Sequence, residues 1–275
     1  MMAKWSNEEI EILREVYPFG GAKKVSEITG RSIKGVHHMA SRIGIKNLVK
    51  NRRNLLEYNE EYFSKIDNPS KAYWLGFIYA DGCIDRYDRL HINLAEYDKN
   101  HLQKFLDELS SNIEIRKRNG YINLSIKNKN IVRDLYNLGV NYNKTYDSRI
   151  PKIEDKYINH WLRGYFDGDG SIGLYKDKTM KYGYMPKANI SVLSNDMTKF
   201  ISSILTSNNI RHSINKDSKS KINHINVRSI SSILSFFEFL YEDSNIENRM
   251  DRKYDKFYNT CKFFIDRGYG GWSRV

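Results

Sequence analysis

Two carboxylates stand in the same unusual setting. The stretches Ala72-Tyr73-Trp74-Leu75-Gly76-Phe77-Ile78-Tyr79-Ala80-Asp81-Gly82 and His160-Trp161-Leu162-Arg163-Gly164-Tyr165-Phe166-Asp167-Gly168-Asp169-Gly170 each read as a short apolar helix closed by Asp and a helix-stopping Gly. Small residues recur one turn apart in both, Gly76 with Ala80 and Gly164 with Gly168, a spacing that lets two helix backbones approach closely. A helix C-terminus carries partial negative charge and disfavours a carboxylate by up to ~1 kcal/mol. If the helices pack side by side, Asp81 and Asp169 meet at the same end and repel each other. A divalent cation relieves both problems. Oxygen-only ligation suits Mg²⁺, which keeps several waters and shares its shell with substrate phosphates, and Mn²⁺ is expected to substitute. A single Asp-Gly pair is an ordinary turn; the second copy in the same context argues for chemistry.

Charge points to the substrate. Among 275 residues, 45 Lys and Arg oppose 33 acids, a net charge of +12 that favours a polyanionic partner, although ribosomal and membrane-surface proteins share such a balance. The two cysteines, Cys83 and Cys261, are too few for a disulfide framework or a four-ligand zinc site, so a reducing compartment is expected. A bacterial or phage-infected cytoplasm, or an organellar matrix, fits. The N-terminus turns acidic at once, which argues against a signal or transit peptide, and no apolar run is long enough to span a membrane.

The elements that position the acids follow from periodicity. Residues 1–47 suggest an all-α module of three short helices. Ser6 caps the first with Glu9 at capping-box spacing; Ile10, Leu13 and Val16 or Tyr17 form its stripe, and Pro18 and Gly20-Gly21 are expected to break it. The second carries Ala22, Val25 and Ile28 and stops at Gly30. Ser32 caps the third, expected to bury Ile33, Val36, Ala40 and Ile43 and to expose Lys34, His37, His38, Ser41 and Arg42. Such a basic last helix suits a helix-turn-helix whose Lys34, His38 and Arg42 face DNA; a helical protein-interaction module with a solvated basic face is the other reading. Residues 48–70, with Lys50, Arg52 and Arg53, read as a basic linker.

From residue 71 the chain repeats, with halves 71–148 and 149–275 and the two Asp-Gly sites 88 residues apart (169 − 81). Each half reads helix, two strands, helix, two strands, helix. Strands are expected around Leu90–Leu94, Ile113–Ile115 and Ile122–Ile126, then around Ile172–Leu174, Ile190–Val192, Ile214 and Ile225–Val227. Alternation turns Arg89, His91, Asn93, Arg116, Arg118, Asn123, Ser125 and Lys127 outward in the first half. In the second it turns out Lys187, Asn189, Ser191, Arg211, Ser213, His224, Asn226 and Arg228. Amides, hydroxyls and guanidinium groups read base edges, and acids are scarce among them. An ordinary solvated sheet face is the alternative. The tip of the longer hairpin, Lys176 to Lys187, is basic and tyrosine-rich and is expected to touch flanking DNA.

Both motif stretches resemble the signature of the LAGLIDADG homing endonucleases, the second closely and the first with Tyr79 at the earlier acidic position. The resemblance covers roughly residues 70 to 260. It implies an α+β fold of two pseudo-symmetric αββαββα units forming a DNA-binding saddle, acting as a monomer. It also implies a metal-dependent double-strand DNA endonuclease with Asp81 and Asp169 as the metal acids and Gly82 and Gly170 beside them at the metal sites. Family members place a basic residue beside each metal site to stabilise charge on the cleaved phosphate; Lys144 and Lys253 are the counterparts in this chain. Where many relatives carry Gln or Lys at the end of the second strand, this chain has Ala95-Glu96 and Leu193-Ser194. A separate resemblance, to Myb/SANT-like trihelical domains, rests on Trp5-Ser6-x-Glu8-Glu9, Gly30-Arg31-Ser32, Val36 and Arg42-Ile43-Gly44. Some relatives are maturases that bind group I intron RNA, so an RNA maturase and a catalytically inactive DNA-binding regulator are the competing functions.

Overall fold

The structure, a computed structural model, describes residues 5–47, 58–142 and 149–269. The chain divides into two compact units, Met1–Leu56 and Glu57–Val275.

In the first unit the capping box closes as the spacing requires. The Ser6 Oγ accepts the Glu9 N–H (3.1 Å) and the Glu9 carboxylate accepts the Ser6 N–H (2.8 Å). Helix α1 (Asn7–Thr29) runs through Pro18 and breaks at Gly21, whose φ of 69° and ψ of −177° are not helical, so of the breakers expected at Pro18 and Gly20-Gly21 it is the glycine that acts. Helix α2 (Ile33–Arg42) starts at Ser32, whose Oγ accepts the Gly35 N–H. Leu13, Tyr17, Ala22, Val25, Val36 and Ala40 form this unit's core. Ile28 and Ile33, expected inside, are 53% and 48% exposed, and Ile43 is half-buried. The seam between the helices is filled by Val36 and Ala40 one turn apart, which leaves Ile33 outside it.

The second unit is the repeat. Its first half runs α3 (Pro69–Asp81), β1 (Gly82–Ile84), β2 (Leu90–Ala95), α4 (Lys99–Glu108), β3 (Arg116–Arg118), β4 (Tyr121–Ile126) and α5 (Lys129–Asn137). Its second runs α6 (Ile158–Asp169), β5 (Gly170–Lys176), β6 (Tyr184–Val192), α7 (Asn195–Ser207), β7 (Ser213–Lys216), β8 (Asn223–Val227) and α8 (Ile230–Tyr241), followed by α9 (Asp251–Ile265). The strands form two antiparallel four-stranded sheets in equivalent orders, β1-β2-β4-β3 and β5-β6-β8-β7. This is the α+β, two-unit αββαββα architecture expected. Alternation holds along the central strands: Leu90, Ile92, Leu94, Ile122, Leu124 and Ile126 are buried in one sheet, and Ala188, Ile190, Val192, Ile225 and Val227 in the other.

Two expectations shift. The strand drawn through Ile113 and Ile115 forms three residues later, at Arg116–Arg118, because those isoleucines pack onto the core before the chain reaches the sheet edge. The segment read as a tether also contributes to the core: Tyr62, Phe63 and Ile66 are buried in the second unit, with the Tyr62 and Phe63 rings edge-to-face at 4.9 Å. Lys50, Arg52 and Arg53 lie outside the described residues.

The small residues of the motif do what their spacing implies. A Cβ on Gly76 would stand 1.9 Å from the Trp161 carbonyl oxygen, and one on Gly164 would stand 1.9 Å from that of Tyr73. The α3 and α6 backbones therefore touch directly, and no side chain fits between them. Gly76→Ala or Gly164→Ala is expected to cost about 3 kcal/mol in denaturant unfolding. Gly173→Ala, where an added Cβ meets its neighbours at 3.6 Å, serves as the control and should stay within about 1 kcal/mol. Equal effects at the two kinds of site would contradict the close-packing account.

Candidate active site between the motif helices

Close packing brings the two helix ends together. Asp81 ends α3 and Asp169 ends α6, each followed at once by the first strand of its sheet. A Cβ on Gly168 would lie 2.4 Å from the Ala80 Cβ and 3.2 Å from Asp81 Oδ2, so the second motif's backbone runs against the first motif's carboxylate. Asp81 is half-buried and Asp169 exposed.

Lys253, in the first turn of α9, reaches into the same place. Its ammonium donates to the carbonyls of Phe166 (3.4 Å), Gly168 (3.5 Å) and Gly170. Burial lowers its pKa, while Asp167, Asp81 and Asp169 oppose that shift. A cation on the last carbonyls of α6 satisfies acceptors that a helix end leaves unpaired. The Gly170 carbonyl, expected beside a metal, is thus occupied by Lys253. Lys144 lies outside the described residues.

The donor set fits a hard divalent cation. Among the described residues no cluster of three or more His, Cys, Asp and Glu could hold a metal, so a soft or fully protein-ligated ion has no cage there. Two carboxylates at one junction suit an oxygen-preferring divalent cation that keeps part of its shell for water.

Beneath the acids lies a buried polar network the sequence reading did not identify. Asp167, 1% exposed, accepts from the Tyr73 hydroxyl of α3 (2.9 Å), the Tyr241 hydroxyl of α8 (2.7 Å) and the Met250 N–H (2.7 Å). Burial raises its pKa against the pull of those donors. Arg163, fully buried, donates to the carbonyls of Leu240 (2.7 Å) and Asn248 (2.8 Å) and to Asn248 Oδ1 (2.9 Å). Tyr79, at the position equivalent to Asp167, shares its hydroxyl between the carbonyls of Leu138 (2.8 Å) and Arg149 (3.1 Å). A charged residue inside an otherwise apolar helix, as Arg163 is, was the available signal.

The polar faces of both sheets are pre-ordered by their own hydrogen bonds. In the first half Asn93 faces Asn123, which donates to it at 2.7 Å, and Arg116 lies across from Asn123. Arg116 and Arg118 on β3 and Lys127 after β4 are exposed. The strands themselves carry no acid, as expected, but one stands at the edge of this face. Asp85, in the β1–β2 turn, accepts from Arg89 (2.9 Å) and pairs with His91 (3.0 Å). Burial works against its ionisation, but His91, Arg89 and the N–H groups of Tyr87 and Arg89 outweigh it and hold its carboxyl well below the usual range. In the second half Asn189 donates to Asn226, and Asn226 to Asn215, both at 3.1 Å. Asn226 is only 3% exposed and supports its neighbours from below the surface. Ser191 bridges Asn189 and His224, Lys187 is half-buried, and Arg211 and Arg228 are exposed just outside β7 and β8. At the hairpin tip Tyr182 and Tyr184 pack edge-to-face on Phe264 and Phe263 of α9, so these tyrosines anchor the hairpin instead of pointing free. In the other unit Lys34, His38 and Arg42 are exposed four residues apart on α2, while His37 pairs with the Tyr17 hydroxyl (3.0 Å).

Residues 156–240 match the model of a family described as LAGLIDADG-like domain. The chain is 24% identical over 205 residues to a probable translation initiation factor IF-2 of Methanocaldococcus jannaschii, covering 67% of this chain and 16% of that protein. It is 26% identical over 147 residues to an uncharacterized protein of the same organism, covering 51% of this chain and 56% of the other. The chain thus spans well under two thirds of either curated relative. Among solved structures, the LAGLIDADG homing endonuclease I-SmaMI bound to cleaved DNA aligns with a TM-score of 0.53 at 17% identity, covering 74% of this chain and 90% of that one. The same protein bound to uncleaved DNA target in the presence of calcium ions aligns with a TM-score of 0.52 at 16% identity, over 74% and 94%. These structural likenesses are likenesses of fold.

The network makes stability depend on pH. His101 Nε2 meets the Tyr73 hydroxyl at 3.1 Å, and burial beside Lys104 and Arg252 lowers its pKa from 6.5 to about 3. His160 is lowered to about 4 by burial and Arg163. Both stay neutral in the fold where the unfolded chain would protonate them. Their stabilising effect is complete above pH ~6.5 and falls below it, by up to ~1.4 kcal/mol per pH unit for each histidine. Melting curves from pH 7.5 to 5 should show this loss, and His101→Gln, which keeps a donor to Tyr73, should flatten it. An unchanged slope in that variant would rule out His101 as the source.

Proposed function

We propose that this chain is a site-specific homing endonuclease that makes metal-dependent double-strand breaks in a long DNA target. The observation that carries the reading is the pairing of Asp81 with Asp169 at two helix ends pressed backbone to backbone. A structural carboxylate gains nothing at a helix C-terminus, whereas a pair of them beside a buried lysine suits phosphodiester hydrolysis.

In this reading Asp81 and Asp169 would hold Mg²⁺, or Mn²⁺ in its place, one site serving each strand. The bound cation supplies positive charge at the scissile phosphate and a nucleophilic water. The chain's own residues do the rest. Asp81 and Asp169 fix the acidic centre between the halves. Lys253 places a compact positive charge beside it, suited to the charge that develops on phosphate oxygens. The donors on the two sheets, among them Asn93, Asn123, Asn189, Arg116, Arg118, Lys187 and Arg228, read the duplex and keep water ordered along the target. Lys34, His38 and Arg42 in the N-terminal unit are proposed to contact DNA and lengthen the footprint. Action as a monomer and a location where DNA is accessible complete the proposal, and the fold of the DNA-bound relative supports it.

The test is cleavage of a randomised double-stranded library with Mg²⁺ by the wild type, Asp81→Asn and Asp169→Asn. Cuts at one long motif are expected, abolished or reduced to nicks in each variant, with kcat falling by about 10³-fold or more. Tight DNA binding without cutting in any divalent metal would discard the nuclease and leave a DNA-binding regulator. Preference for structured intron RNA would point to a maturase.

A further inference from the structure

Lys253 is held from both halves of the repeat. From the second half, Asp167 accepts the N–H of Met250 at 2.7 Å, three residues before Lys253 and at the N-cap of α9. From the first half, Asp98, 6% exposed at the start of α4, takes the Arg252 guanidinium in a two-point grip at 2.7 and 2.8 Å. Lys104 of α4 adds bonds to the Arg249 carbonyl (3.2 Å) and the Asp251 carboxylate (2.8 Å). The turn from 249 to 252 is thus fastened at every residue, and the next side chain is the lysine that lies against the motif acids.

We propose that Asp98 and Asp167 are positioning residues, one from each half, that set the start of α9 so that the Lys253 ammonium stands at the paired helix ends. This rests on the endonuclease reading, in which Lys253 acts on the phosphate. Lysine carries its charge on a flexible four-carbon stem, so its place is only as well defined as the backbone that bears it. A bidentate guanidinium–carboxylate pair fixes orientation as well as distance, which a surface ion pair does not. Because Asp98 belongs to the half that also supplies Asp81, the grip registers whether the two halves are correctly docked. Among the described residues the carbonyls that Lys253 bonds belong to the second motif, so its misplacement should slow one strand more than the other.

The experiment follows both strands of the selected target under single turnover, for wild type, Arg252→Ala, Arg252→Lys and Lys253→Met. The Arg252 side chain is 46% exposed, so little apolar packing is lost with it. Arg252→Ala should slow one strand by about 10- to 100-fold, accumulate nicked product and leave the Kd for DNA unchanged, and Asp98→Asn should do the same. Arg252→Lys should recover part of the rate. The double variant Arg252→Ala with Lys253→Met should cut no more slowly than Lys253→Met alone. Equal slowing of both strands, full activity in Arg252→Ala, or additive losses in the double variant would each overturn the positioning role while leaving the endonuclease intact. A wild type that cuts nothing would instead remove the reading on which the role depends.

Discussion

The approach of α3 to α6 leaves no room for a single methyl group at Gly76 or Gly164. That contact sets everything above and around it. Helices this close run their backbones as one unit, so the residues that end them cannot drift apart, and Asp81 and Asp169 are brought together by main chain instead of flexible stems. Interiors pack near crystal density and do not deform smoothly. The two sheets, each continuing from its helix through Gly82 or Gly170, inherit the same constraint.

Pseudo-symmetry is therefore strict at the seam and relaxed away from it. One position back from each small residue at the acid end, the halves diverge: Tyr79 shares a neutral hydroxyl between two carbonyls, whereas Asp167 collects three donors and sits among Arg163, Tyr73 and Tyr241. A buried carboxylate of this kind demands a full set of partners. The second half meets that demand with α8 and the chain leading into α9. Removing any one partner leaves a costly orphan, which ties the C-terminal helix to the motif more firmly than apolar packing would.

Much of this was legible from residue order. The doubled Asp-Gly, the glycine spacing and the alternation on β2, β4, β6 and β8 dictate helix pairing, sheet faces and the meeting of the acids. What stayed hidden depended on distance in sequence. Asp98 meets Arg252 and Tyr73 meets Asp167 only after the halves dock, and neither pair shares a periodicity. Asp85, which no periodicity singles out, bridges Arg89 and His91 from its turn. Ile33 and Ile28 followed the helical stripe yet lie outside a core too small to cover them. The packing of Tyr182 and Tyr184 was hidden for the same reason, since their partners, Phe264 and Phe263, lie some eighty residues on.

The asparagine row across β6, β8 and β7 carries a polarity that its surface does not choose. Asn226 aims its amide nitrogen at the His224 carbonyl (3.0 Å) as well as at Asn215, so a backbone acceptor fixes which way round it sits. Its oxygen then faces Asn189, whose own oxygen is turned toward Ser191. The pattern of donors and acceptors on this face is thus written one layer down, in a residue almost closed to solvent. Asn189, Asn215 and Asn226 therefore form a word, to be respelled together and not one character at a time.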